Sequence, residues 1–205
     1  MAPGLCDGER CLDEALLQGL DIAPAQAKPG AGAPADQLIV LHQLGNHGPA
    51  YDRRYPDAFR HFKPVCATAD LPRCSREQIV NAYDNALLYT DHVLAQAITL
   101  LRSAGSTHDT ALLYLSDHGE SLGENGLYLH GLPYAIAPEV QLQVPMLLWL
   151  SEGLARQHRI DPACLRQRAA QPASHDHLFH SLLGLMDVTT ALYEPALDLF
   201  ALCRR

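Results

Sequence analysis

Asp117 and His118 stand side by side in Ser116-Asp-His-Gly-Glu-Ser-Leu-Gly-Glu-Asn-Gly126, and His130 follows in Leu129-His-Gly131. One carboxylate oxygen and one imidazole nitrogen form a ligand pair suited to zinc or another borderline divalent ion. Glu120, two residues on, can act as an acceptor behind the metal ligands or hold a second cation. His47, in Gly45-Asn-His-Gly-Pro49, lies in another glycine-flanked loop. With His130 it could reach the same site, donating hydrogen bonds to a phosphoryl group or serving as general acid and base near neutral pH. A phosphate or sulfate ester that builds negative charge in its transition state needs the neutralisation that zinc and imidazoles supply. His42 falls within an apolar run and is less suited to reach the site. His175, His177 and His180 read as the solvated start of a helix.

These loops need strands and helices to position them. Ala111-Leu-Leu-Tyr-Leu115 is near-continuously apolar, the pattern of a strand buried on both faces. The polar cluster begins just past its carboxyl end, where open α/β sheets place ligands. Gln37 to Leu44 reads as another buried strand, ending at the His47 loop, and Val144 to Leu150 as a third, with Pro145 demoting only its first residues. Arg76 to about Arg102 predicts a long amphipathic helix, with Ile79, Tyr83, Leu87, Leu94, Ile98 and Leu101 at helical spacing. Ser75 and Gln78 suit a capping box at its start. Arg156 to Ala170 and Asp176 to Leu185 predict further helices. Residues 1–20 predict a cysteine-closed loop and a short helix carrying Leu12, Ala15, Leu16 and Leu20 on one face. Pro24 to Pro34 predicts a surface loop, and residues 51–75 an irregular segment. Strand, helix, strand order predicts an α/β fold, a mostly parallel sheet flanked by helices with right-handed crossovers. Gly119, Gly123 and Gly126 let the backbone turn sharply around the site.

A chain of 205 residues holds one sizeable α/β domain, and a second full domain is not expected. The formal charge of −8 argues against nucleic acid or an anionic membrane surface as the main partner, since no basic patch is there to neutralise phosphates. No apolar run approaches bilayer-spanning length, and Met1-Ala-Pro-Gly-Leu-Cys6 lacks the basic and apolar regions of a signal peptide. The six cysteines fall as Cys6/Cys11, Cys66/Cys74 and Cys164/Cys203. The first two pairs close short polar loops without C-x-x-C spacing, which favours disulfides over reduced thiols and implies an oxidising compartment. Disulfides without an export signal lead to the expectation that Met1 is not the natural start and that the export or membrane signal lies upstream.

Taken together, Leu41-His-Gln-Leu-Gly-Asn-His-Gly-Pro-Ala-Tyr51, Arg54-Tyr-Pro56, Tyr83-Asp-Asn85, Tyr114 to Gly126, Leu129-His-Gly-Leu-Pro-Tyr-Ala-Ile-Ala-Pro138 and Val144 to Leu150 resemble, in order, the catalytic domain of phosphoethanolamine transferases that modify lipid A. That family, which includes enzymes conferring polymyxin resistance, belongs to the sulfatase and alkaline-phosphatase-like superfamily. Asp-His-Gly-Glu is shared widely in the superfamily, whereas the stretch through His-Gly-Leu-Pro-Tyr-Ala is specific to the transferases. The resemblance implies an alkaline-phosphatase-like fold incomplete at its amino-terminal side. It also implies Zn2+ held by Asp117 and His118, with His47 and His130 contacting the phosphoethanolamine group or a second zinc. Disulfides Cys6–Cys11 and Cys66–Cys74 follow from it, and the pairing of Cys164 with Cys203 stays open. The implied reaction moves phosphoethanolamine from phosphatidylethanolamine to lipid A through a phospho-threonine, at the periplasmic face of the inner membrane.

Two departures stand out. Asn46 replaces the serine common before the histidine, a small polar exchange of little consequence. The nucleophilic threonine and a metal-binding glutamate of the family have no counterpart here, and would lie upstream together with the membrane helices. The isolated chain is therefore expected to be inactive. A related sulfatase-like hydrolase, a phosphoglycerol transferase and a truncated non-catalytic remnant are the alternatives.

Overall fold

The computed structural model describes residues 4–20, 22, 36–106 and 108–205. The Pro24 to Pro34 segment lies outside them. Five α-helices and four strands occur among the described residues: α1 (Arg76–Ser103), β1 (Ala111–Leu115), β2 (Ser121–Leu122), β3 (Tyr128–Leu129), α2 (Glu139–Leu142), β4 (Met146–Leu150), α3 (Glu152–Gln157), α4 (Pro162–Arg168) and α5 (Asp176–Leu185). Two two-stranded sheets form, β1 with β4 and β2 with β3. Bonds at the ends of the first pair, Ser116 N–H to the Pro145 carbonyl and Ser151 N–H to the Thr110 carbonyl, run β1 and β4 in opposite directions. The connection between them carries a hairpin and a four-residue helix in place of a long crossover helix, so a parallel return is not made at this pair. None of the helices is long and apolar enough to cross a membrane.

The chain divides into two compact units, one of residues 1–22, 39–100 and 113–147, the other of 23–38, 101–112 and 148–205. In the first unit α1 is the central beam. Its capping box closes reciprocally: Ser75 N–H donates to Gln78 Oε1 at 2.8 Å, and Gln78 N–H to Ser75 Oγ at 3.2 Å. Ala86, Tyr89 and Val93 bury one stretch of the helix against Leu17 and Tyr55. Ile79 and Ala82 bury another against Tyr51, Cys66 and Leu71. Asn85, fully buried, accepts from the N–H groups of His61 and Phe62 and donates to the Phe62 carbonyl and the Tyr55 hydroxyl. Those bonds pin the irregular 51–75 segment to the beam.

Three sequence expectations are corrected. Gln37 to Leu44 forms no strand, and Leu38, Ile39 and Val40 are exposed. A strand exists only where a neighbour completes its ladder, and no described strand pairs with this run. The helix expected over 156–170 is two helices, because Arg159 takes a left-handed φ of 53° and Asp161 starts α4 afresh by accepting from the N–H groups of Ala163 and Cys164. The short amino-terminal helix is a 3-10 turn (Asp13–Leu17) that buries Asp13 and Leu17.

In the second unit Leu154, Ala155, Ile160, Phe200 and Cys203 are buried. Cys164 and Cys203 form a disulfide 39 residues apart in sequence; Cys6–Cys11 and Cys66–Cys74 close 5 and 8. Loop-closure entropy makes the longest link the most stabilising. Replacing Cys164 and Cys203 by Ser is expected to cost ~4 kcal/mol, against ~2.5 kcal/mol for the Cys66 and Cys74 pair, as read by denaturant unfolding.

Candidate metal centre

The β2–β3 hairpin is what brings the Asp117 loop and His130 together. Ser121 pairs with Leu129 and Leu122 with Tyr128, so the residues just outside this register, Glu120 and His130, face each other at its open end. The turn is tight: Gly123 at φ 107° and Gly126 at φ 74° take conformations that suit glycine. Leu129 is itself in the left-handed region at φ 62°, which turns the chain as it delivers His130. Gly119, in contrast, has an ordinary φ. A Cβ there would collide with the Val140 carbonyl, so glycine is required for close approach.

Glu124 fastens the tip of this hairpin, its carboxylate accepting from Leu122 N–H and from Arg76 at 3.1 Å. Burial pushes its pKa up, but the backbone N–H donors and Arg76 outweigh that and hold it below the ordinary 4.5. A depressed carboxylate stabilises the fold fully above its unfolded pKa and loses that contribution as pH falls through the folded value. Glu124→Gln should therefore cost ~1 kcal/mol at pH 7, with the difference from the parent shrinking below about pH 4. Thermal melts across that range check it.

Three clamps place the His47 loop. The buried Asp13 carboxylate accepts from Leu44 N–H at 3.0 Å and Gly45 N–H at 2.7 Å. Arg54 Nε donates to the His47 carbonyl at 2.7 Å. Glu120 accepts Gly48 N–H at 2.9 Å and also takes the hydroxyl proton bond of Tyr51. Burial and the neighbouring carboxylate push the Tyr51 phenol well above its ordinary range, so Tyr51 stays a donor. Gly48 leaves no room for a side chain, with the Tyr51 hydroxyl at 2.8 Å and Glu120 Oε2 at 2.9 Å from where a Cβ would stand.

The outcome is a convergence of imidazoles. One ligand atom from each of His47, His118 and His130 lies within 4.8 Å of the others. The His118 and His130 rings stack with centroids 3.6 Å apart, and His47 meets both edge-on. His47 Nδ1 bonds to the Gly48 carbonyl at 2.7 Å and His118 Nδ1 to the Gly119 carbonyl at 3.1 Å, while His130 Nδ1 lies 3.4 Å from Glu120 Oε1 as an ion-pair contact. An Nδ1–H directed at a carbonyl or carboxylate fixes the tautomer that leaves Nε2 as a free lone pair. Asp117 is exposed, with Oδ2 3.8 Å from His118 Nε2. The donor set, three imidazoles with a carboxylate at the rim, fits a tetrahedral borderline cation such as zinc.

Glu120 is thus the buried acceptor that joins Tyr51, Gly48 and His130, with His47 Nδ1 at 3.9 Å. Tyr51, Asp13 and Arg54 were not singled out as site residues from sequence. A tyrosine four residues after His47 was the one signal for the first of them. The His175, His177 and His180 group contributes nothing to this cluster: His177 bonds to Ser174, and His180 Nδ1 accepts Glu194 N–H at 3.0 Å.

Residues 2–188 match the family model named Sulfatase, and the chain belongs to that family. It is 49% identical over 204 residues to phosphoethanolamine transferase EptA of Escherichia coli strain K12, covering 99% of this chain and 36% of that protein. Its structure resembles the soluble domain of lipooligosaccharide phosphoethanolamine transferase A from Neisseria meningitidis, with a TM-score of 0.89 and 41% identity over 100% of this chain and 60% of that one. The C-terminal periplasmic domain of EcEptC from Escherichia coli, in complex with Zn, matches with a TM-score of 0.62 and 27% identity over 78% of this chain and 43% of that one. The chain spans about a third of the length of the curated relatives it matches. The sulfatase-like α/β fold expected from the motifs is the fold of these neighbours.

Proposed function

We propose that this chain is the metal-bearing part of a zinc-dependent phosphoethanolamine transferase that acts on lipid A at the periplasmic face of the inner membrane. The observation that carries the reading is the convergence of His47, His118 and His130, with Nδ1 of the first two bonded to carbonyls and that of the third beside Glu120. Zinc, when bound, neutralises charge on a phosphoryl oxygen and lowers the pKa of a coordinated hydroxyl. Asp117 and His118 would hold it. His47 and His130 face the same space, where Nε2 can ligate a cation or, once protonated, donate to a phosphoryl oxygen. Glu120 keeps the His130 proton at Nδ1 and thereby sets which nitrogen is presented.

The donor is phosphatidylethanolamine, and the group passes through a phospho-threonine whose threonine comes from sequence outside these 205 residues. The similarity to a lipooligosaccharide phosphoethanolamine transferase supports that acceptor class. The test is mass spectrometry of lipid A from cells expressing the full reading frame. A mass gain of one phosphoethanolamine, lost with His118→Ala, is expected. Unmodified lipid A alongside hydrolysis of a simple phosphate or sulfate ester would favour the hydrolase reading instead. The purified 205-residue chain should show no transfer.

A further inference from the structure

We propose that Gln141 is a positioning residue for the metal centre, setting the places of His118 and Glu120 from beneath their loop. The inference rests on the zinc reading above. Its main-chain carbonyl on α2 accepts Gly119 N–H at 3.0 Å, and its side-chain Nε2 donates to Ser121 Oγ at 2.8 Å. One residue therefore grips the chain on both sides of Glu120, immediately after His118. Ser121 is fully buried and Gln141 nearly so. Gly119 meets α2 at the Val140 carbonyl with no space for a side chain, so nothing cushions the loop from movements of α2.

The chemistry of Gln141 points beyond packing. Its Oε1 is buried with no hydrogen-bond partner among the described residues. An unsatisfied buried acceptor is costly, and an apolar side chain of similar size would fill the space without that cost. What the amide adds is a directed bond to Ser121. That bond fixes the peptide from which the Glu120 side chain springs, and Glu120 Oε1 in turn faces His130 Nδ1 at 3.4 Å. On the other side, Ser116 Oγ donates to the His118 carbonyl at 2.9 Å, so the loop is held at its start by Ser116 and at its end by Gln141.

The experiment is zinc titration against a competing chelator for the wild-type chain, Gln141→Ala, Ser121→Ala and the double variant, each checked by far-UV circular dichroism and thermal melting. Removing a group that orients metal ligands typically weakens affinity ten- to a hundredfold. Each single variant is expected to weaken zinc binding about tenfold, and the double variant no more than either alone, because both remove one bond. Ser121→Ala leaves α2 intact, so it decides the matter if Gln141→Ala does not fold. Folded single variants that bind zinc as tightly as wild type, with only the melting temperature lowered, overturn the proposal and leave the zinc reading standing. A wild-type chain that binds no zinc overturns the zinc reading and the proposal with it.

Discussion

Glu120→Ala should lower the melting temperature by roughly 10 °C and weaken zinc binding ten- to a hundredfold. The carboxylate is buried and accepts two donors, Gly48 N–H and the Tyr51 hydroxyl. Truncation leaves both without partners, at ~1–3 kcal/mol each, or ~4 kcal/mol together. It also removes the acceptor that faces His130 Nδ1, so the ring is free to take the tautomer that points a proton at the site. Glu120→Gln separates the two effects. A glutamine can still accept from Gly48 and turn its amide toward the Tyr51 oxygen, so most of the stability should return. Its oxygen, kept on the Gly48 side, still faces His130 Nδ1, but the missing charge weakens the hold on an imidazole that binds a cation, so zinc affinity should stay about tenfold reduced. A Glu120→Gln variant with full zinc affinity would remove Glu120 from the metal centre.

The second large effect is expected at Gly119. A methyl group there runs into a main-chain carbonyl, and backbone cannot swing aside as the end of a flexible side chain can. Overpacking of this kind costs about 1–3 kcal/mol when neighbours yield, and here the same shift breaks the Gly119 N–H bond to Gln141. Gly119→Ala should therefore destabilise by ~3 kcal/mol and displace His118 and Glu120 together. Denaturant unfolding gives the first number. A neutral effect would mean that α2 is free to move away from the loop. Gly126→Ala provides the contrast, since nothing crowds a Cβ there and only its φ of 74° opposes the substitution.

Local signals were legible in the sequence wherever their physics is local. The capping box and the limits of α1 and α5 depend on near neighbours, and α1 runs from Arg76 as Ser75 and Gln78 require. The 156–170 segment reads in sequence as one helix because nothing in its composition marks the left-handed Arg159 that divides it. The Gln37 to Leu44 run failed for the opposite reason: its composition suits a strand, yet strand formation depends on a partner supplied from elsewhere. At the site, Asp117, His118, Glu120, His47 and His130 announced themselves by residue type and spacing. Their arrangement did not. Tyr51 and Gly48 reach Glu120 across 69 and 72 residues, and no periodicity encodes such contacts. The same holds for Gln141, one polar residue in a stretch for which the sequence predicts no element. Asp117 is the converse case, prominent in the motif and exposed at the rim.

The zinc site itself is best tested by X-ray absorption on the 205-residue chain loaded with one equivalent of zinc, compared with His118→Ala and with the His47→Ala, His130→Ala double variant. The convergent geometry predicts a shell of nitrogen and oxygen ligands at ~2.0–2.1 Å, with the outer-shell scattering of imidazole reduced in His118→Ala and cut back to the His118 contribution in the double variant. A zinc shell without imidazole scattering, or one unchanged by all three substitutions, would contradict the assignment of His47, His118 and His130 to a common metal centre.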